Sequence, residues 1–154
     1  MALSLELKPG EKVIIGDSIV TNDNQRIRIF VEGHAPVLRE KDIMTLDTAT
    51  TPAKRIYLTV QLMFLGGDID ELRKNYLAFV SDIIAASPSS TPIIIKISEQ
   101  IISENYYRAM KEARKLIEYE DMLARHLASS RAAEAANAAA GLADPAADPG
   151  KPSA

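Results

Sequence analysis

The chain of 154 residues has no cysteine and no tryptophan, and only two histidines, His34 and His126. Without thiols there is no disulfide scaffold, no thiolate zinc site, no iron–sulfur cluster and no cysteine nucleophile. Two histidines so far apart in sequence argue against a histidine-based metal site. No apolar run approaches the roughly 20 residues that a membrane-spanning helix needs. The first residues, MALSLELKPGEK, lack the basic stretch and apolar run of a signal peptide. There is no basic surplus either: Lys plus Arg number 18 and Asp plus Glu 21, a net charge of −3. Nonspecific nucleic-acid binders carry a cationic excess, so any nucleic-acid contact here must be local and selective. The G-x-S-x-G, H-E-x-x-H, Walker A and Rossmann fingerprints are all missing. The expectation is a cytoplasmic protein that is not an enzyme and holds no metal or cofactor.

What is present is ordinary globular composition, 47% hydrophobic and 25% charged. A chain of this length buries roughly 70% of its unfolded surface, enough to fold without staples. Residues 1–46 read as an antiparallel β-module. Leu3, Leu5 and Leu7 alternate with Ser4, Glu6 and Lys8, the period of a half-buried strand. Short runs at 12–15, 18–21, 26–32 and 37–39 follow, separated by Pro9-Gly10, Gly16-Asp17, a polar tip at residues 22–25 and Gly33 to Pro36. Five short strands joined by tight turns predict a small antiparallel sheet, which must pack on the rest of the chain or on a partner.

Residues 47–128 read as a bundle of about four helices. Thr51-Pro52 is a helix start, and Gly66-Gly67 is a helix stop rather than a phosphate loop. Asp68 with Glu71 is a capping pattern. Ser87-Pro88 breaks the chain, Thr91-Pro92 repeats the start signal, and Ile94, Ile97 and Ile101 form a stripe. Ser103 is the expected cap of a last helix carrying Tyr107, Met110, Ala113 and Ile117 inward. Residues 129–154, rich in Ala, Pro, Gly, Ser and Asp, read as a disordered tail into which alanine can prolong the last helix. The fold class is α+β.

Catalytic readings are weak. The acids Asp68/Asp70 and Glu118/Glu120 are two apart and point different ways on a helix, and His34 sits in a turn with no orienting partner. The informative stretch is Arg26-Ile27-Arg28-Ile29-Phe30-Val31. On a strand, Arg26, Arg28 and Phe30 share one face and the aliphatics the other. Two guanidiniums beside an aromatic ring suit a phosphate backbone and a stacked base, although a charged solvent face is the plainer account. Arg108, Lys111, Arg114 and Lys115 form a second basic cluster, read first as a solvated helix face. Of the neighbouring tyrosines, Tyr107 fits the apolar stripe and Tyr106 is the one expected at the surface.

Several linked stretches resemble the FlbT family of flagellum biosynthesis regulators: residues 5–12 (LELKPGEK), 35–43 (APVLREKDI), 51–57 (TPAKRIY), 106–111 (YYRAMK) and 113–117 (ARKLI). The resemblance covers about residues 2–128. It implies action on the 5′ untranslated region of flagellin mRNA, repressing translation and hastening decay in some relatives and promoting flagellin synthesis in others. Residues 1–43 are also similar, more faintly, to CsrA-type translational regulators, through PGEKVIIGD at 9–17, NQRIRI at 24–29 and VLRE at 37–40. Those are interleaved dimers of five-stranded chains that bind a GGA element in mRNA leaders with the first strand of one chain and the last strand of the other.

That second resemblance places Arg39 at the key arginine, Val37 at its apolar neighbour, and Leu5 and Lys8 on the first-strand positions. It also implies a possible homodimer through the β-module. This sequence departs from the pattern where two consecutive basic residues precede the turn: Leu7 and Lys8 stand there, with Glu6 just before. An arginine fork is lost and an acid added.

The candidate RNA-binding set is therefore Leu5, Lys8, Arg26, Arg28, Phe30, Val37 and Arg39, with a flagellin mRNA leader as partner and neither DNA nor membrane. The competing reading is an adaptor that binds flagellin or the flagellar regulator FlaF. An Arg39 locked in an intramolecular ion pair, with no cationic groove open to solvent, would favour the adaptor.

Overall fold

The computed structural model describes residues 2–142. Five strands, β1 (Ala2–Leu7), β2 (Lys12–Ile15), β3 (Ser18–Thr21), β4 (Ile27–Glu32) and β5 (Val37–Arg39), precede four α-helices. The helices are α1 (Pro52–Phe64), α2 (Ile69–Ala86), α3 (Thr91–Ile102) and α4 (Tyr106–Leu142), with 3-10 turns at Glu40–Asp42 and Pro88–Ser90. This is the α+β arrangement expected from the sequence.

The strands form two antiparallel sheets rather than one. β1 pairs with β4, setting Leu5 opposite Ile29 and Glu6 opposite Arg28. The other sheet has the order β3-β2-β5. Gly16, at a φ of 63°, opens the two-residue β2–β3 turn with a conformation that side-chain-bearing residues avoid. The chain then changes sheet between residues 22 and 26, so β4 meets β1 and not β3. Asn22 makes that corner. It is buried rather than at a polar tip, and its Nδ2 donates to the carbonyls of Leu7, Lys8 and Gln25 at 3.1, 2.8 and 2.7 Å.

Strand alternation explains the layering. Leu5, Leu7 and Val13 form a small core, joined by Ile15, Ile29, Val31 and Val37. The opposite side of the three-stranded sheet gives Ile14 and Leu38 to the larger helical core. One compact unit extends to Ile117 and takes in the strands, α1, α2, α3 and the first part of α4.

The helix signals hold with two shifts. Thr51 Oγ1 accepts the Lys54 N–H, with Pro52 in the first turn. Asp68 Oδ1 accepts from the Asp70 and Glu71 amides. Gly66, at φ 92°, ends α1, and the Gly67 N–H closes back on the Leu62 carbonyl. Ile94, Ile97 and Ile101 are buried on α3. Thr91, however, lies inside the first turn of α3 and donates its hydroxyl to the Pro88 carbonyl. Ser103 ends α3 instead of opening α4. The chain reverses through Glu104, at φ 61°, and the Asn105 carbonyl takes the Ala109 N–H.

On α4 the buried positions are Ala109, Met110, Ala113 and Leu116, with Tyr106 packed against them. Tyr107 is 44% exposed, the reverse of the expected assignment. The helix continues to Leu142, so residues 129–142 of the expected disordered tail are helical, in keeping with alanine's high helix propensity. The rest of that segment, 143–154, lies outside the described residues. From Glu118 onward α4 belongs to a second compact unit. Among the described residues no helix is long and apolar enough to cross a membrane, and no group of three His, Asp or Glu is placed to hold a metal ion.

Candidate nucleic-acid interface

The seven candidate residues divide into three groups. Leu5 is 5% exposed and packs with Leu7 and Val13, and Val37 packs against the same cluster. Alternation dictates this: Leu5 is on the inward face of β1, opposite Ile29. Leu5 therefore shapes the sheet and has no surface to offer a ligand.

Arg39 is engaged within the chain. Its Nη2 donates to the Glu6 carbonyl at 2.8 Å and lies 3.7 Å from Glu11 Oε2, while its Nε is buried. Strand β5 projects Arg39 on the same side as Val37, toward β1, so the guanidinium reaches back over the small core and ties the two sheets. The Glu11 carboxylate is itself fixed by the turn it stabilises, with its Oε1 accepting the Lys8 N–H at 2.9 Å. No direct signal of this clasp is legible in the residues alone. Glu11 read only as part of a turn, and a carbonyl acceptor has no residue signature.

The third group is exposed. Arg28 and Phe30 lie on the outer face of the β1–β4 sheet, where their cross-strand neighbours are Glu6 and Ser4. Arg28 Nη2 is 2.9 Å from Glu6 Oε1. Its hydrogen bond and charge hold the Glu6 carboxyl below the usual carboxylate range, and the more distant Arg26 and Arg39 add to this. Arg26 precedes β4 and is exposed, as is Lys8 after β1. Phe30 is 67% exposed. An aromatic ring this open contributes little to a core, and its face is free to take a stacking partner. The structure thus unites Arg28 and Phe30, sets Arg26 at the end of the same strand, and assigns Leu5, Val37 and Arg39 to the packing beneath.

An exposed strand face on an α+β fold is what the geometry offers as a candidate site. The sequence profile described as "Flagellar protein FlbT" matches residues 3–124. A protein of Bradyrhizobium diazoefficiens described as "Probable flagellum biosynthesis repressor protein FlbT 1" is 50% identical over 124 residues, covering 80% of this chain and 85% of its own. A "Probable flagellum biosynthesis repressor protein FlbT" of Rhodopseudomonas palustris is 47% identical over 123 residues, 80% of this chain and 98% of its own. The "Flagellum biosynthesis repressor protein FlbT" of Caulobacter vibrioides is 39% identical over 136 residues, 84% of this chain and 94% of its own. No solved structure matches. The chain belongs to the FlbT family of flagellar proteins.

Proposed function

We propose that this flagellar regulator acts after transcription: it binds the 5′ untranslated region of flagellin mRNA, represses translation and promotes decay of the message. The observation that carries this reading is Phe30, exposed beside Arg28 on the outer strand face of a FlbT-family chain. A base stacks on the ring while Arg28 and Arg26 meet the flanking phosphates, the combination that single-strand binders use. RNA held there competes with the initiating ribosome, and cellular nucleases remove the untranslated message. The fit with net charge −3 is that the contact is local: a few cations on one face, not a broad basic surface.

The test is titration of a fluorescent flagellin leader RNA at fixed salt. Phe30→Ala is expected to weaken binding by one stacked base, about 1–3 kcal/mol, with the melting temperature unchanged. No binding by the unaltered protein sinks the reading.

The Arg39 clasp favours a second reading, an adaptor for flagellin or FlaF, because it engages one of the candidate arginines within the chain. A pull-down with purified components decides. Retention of either protein, with no RNA bound, selects the adaptor.

A further inference from the structure

A cationic cleft lies elsewhere in the compact unit and shares no residue with the strand face. It is lined by Lys41 and Asp42 of the Glu40–Asp42 turn, Tyr57 of α1, and Tyr107, Met110, Lys111 and Arg114 of α4, and encloses about 320 Å³.

Its framework is fixed before any ligand arrives. Tyr57 is 2% exposed, and its hydroxyl donates to the Asp42 carbonyl at 2.6 Å. The same oxygen accepts from Arg114 Nη2 at 3.1 Å, and that nitrogen is 3.2 Å from Asp42 Oδ1. The Arg114 guanidinium also lies over the Tyr57 ring, 5.3 Å from its centroid. Arg114 is therefore held by one nitrogen and one face, with 47% of its side chain still exposed. Lys111 Nζ rests 4.9 Å over the Tyr107 ring. Lys115, one turn on, is neutralised by Glu112 at 3.2 Å. Neither Lys41 nor Lys111 has a carboxylate within ion-pair distance among the described residues.

Three cations from two elements thus line the cleft with one carboxylate, Asp42, which Arg114 engages, a local surplus of positive charge in a chain whose net charge is negative. Such a surplus calls for an anion. A planar guanidinium already oriented by its partners, flanked by two exposed ammoniums, matches the several acceptor oxygens of a phosphate better than a single carboxylate would. Preorganisation of Arg114 lowers the ordering cost of binding. The volume is at the lower end of ligand clefts and exceeds what a bare ion fills, leaving the Met110 wall for a sugar or base.

We infer that this cleft is a phosphate-binding site that takes one nucleotide unit, either within a single-stranded RNA or as a free nucleoside monophosphate. The RNA source rests on the function proposed above; the phosphate chemistry does not.

The test uses the full chain, the double variant Lys41→Gln/Lys111→Gln, and Phe30→Ala. The probes are labelled leader RNA and adenosine monophosphate. Addition of adenosine monophosphate should shift the backbone amide resonances of residues 41–42 and 107–114 in the unaltered protein and not in the double variant, with equal melting temperatures. Leader RNA affinity should fall roughly tenfold in the double variant, and the salt slope should shrink by about one to two counterions. If the double variant binds both probes like the unaltered chain, the cleft assignment is overturned. If RNA binding responds to Phe30→Ala alone and the nucleotide shifts nothing, the cleft is overturned while the RNA reading stands. If the unaltered chain binds the nucleotide in the cleft but no RNA, the cleft stands and the RNA reading falls.

Discussion

Arg39 and Glu6 are joined side chain to main chain: the Arg39 guanidinium donates to the Glu6 carbonyl at 2.8 Å, across 33 positions of sequence. Glu6 simultaneously offers its carboxylate to Arg28 on the other face of the strand. One residue thus serves two arginines, Arg39 through its main chain and the more exposed Arg28 through its carboxylate. Arg39→Ala is expected to lower stability by roughly 1–2 kcal/mol, the worth of a charge-assisted hydrogen bond reduced for partial exposure. Leader RNA affinity measured on the folded protein should stay unchanged. A loss of RNA affinity with no shift in the urea midpoint would return Arg39 to the interface.

Asn22 spends its amide group on three main-chain carbonyls at the corner between the sheets. Asn22→Ala strands those acceptors and should cost about 1–3 kcal/mol. Asn22→Asp should be no better, because a carboxylate has no N–H to give. Urea unfolding followed by circular dichroism would show both midpoints falling with the slope retained.

Glu104 occupies the left-handed region at φ 61° where α3 gives way to α4, and the Asn105 N–H reaches back to the Gln100 carbonyl at 2.8 Å. Helices ending this way favour glycine. Glu104→Gly relieves about 1–2 kcal/mol of backbone strain and gives some of it back as unfolded-chain entropy. The expected result is a melting temperature a few degrees higher; a lower one would mean that the Glu104 side chain supports the turn.

Burial raises the Tyr57 phenol above its usual value of about 10, against the opposing pull of the Arg114 hydrogen bond and charge. Burial also raises Tyr76, with the Ser98 hydroxyl at 2.7 Å working the other way. A raised folded value means that the folded state keeps its proton where the unfolded chain has lost it. The associated stability is complete below about pH 10 and disappears as pH rises through the folded values. Unfolding midpoints should be flat through neutrality and fall in alkali. Tyr57→Phe should begin lower, having lost the Asp42 and Arg114 contacts, and should decline less steeply above pH 10.

Periodic features were legible before the structure. The alternation along β1 announced an inward face that Leu5 and Leu7 take while Leu3 stays exposed, the Thr51-Pro52 start capped as expected, and the isoleucine stripe of α3 is buried. On α4 Met110 and Ala113 are buried as expected, but Ala109 went unread and Tyr107 was placed on a stripe that belongs to Tyr106. Pairing across the chain was invisible for another reason. Alternation alone does not name a partner for β4, and the Asn22 corner that accompanies its pairing with β1 is held by main-chain oxygens. At the candidate site the Phe30 and Arg28 face followed from period two. The Arg39 clasp depends on Glu11 and a main-chain oxygen, and the Arg114 anchorage depends on a tyrosine 57 positions away.

Strand β5 is only three residues long, yet its neighbours claim alternate side chains: Leu38 goes to the helices, Val37 and Arg39 to the opposite layer. It works as a rivet. A slip of one position would drive a guanidinium into the helical hydrocarbon and leave a leucine where the clasp should close. Three consecutive residues thereby set the alignment of the whole assembly, and a partner that loosened the helices beneath Leu38 would be felt on the far side, at the strand that displays Phe30.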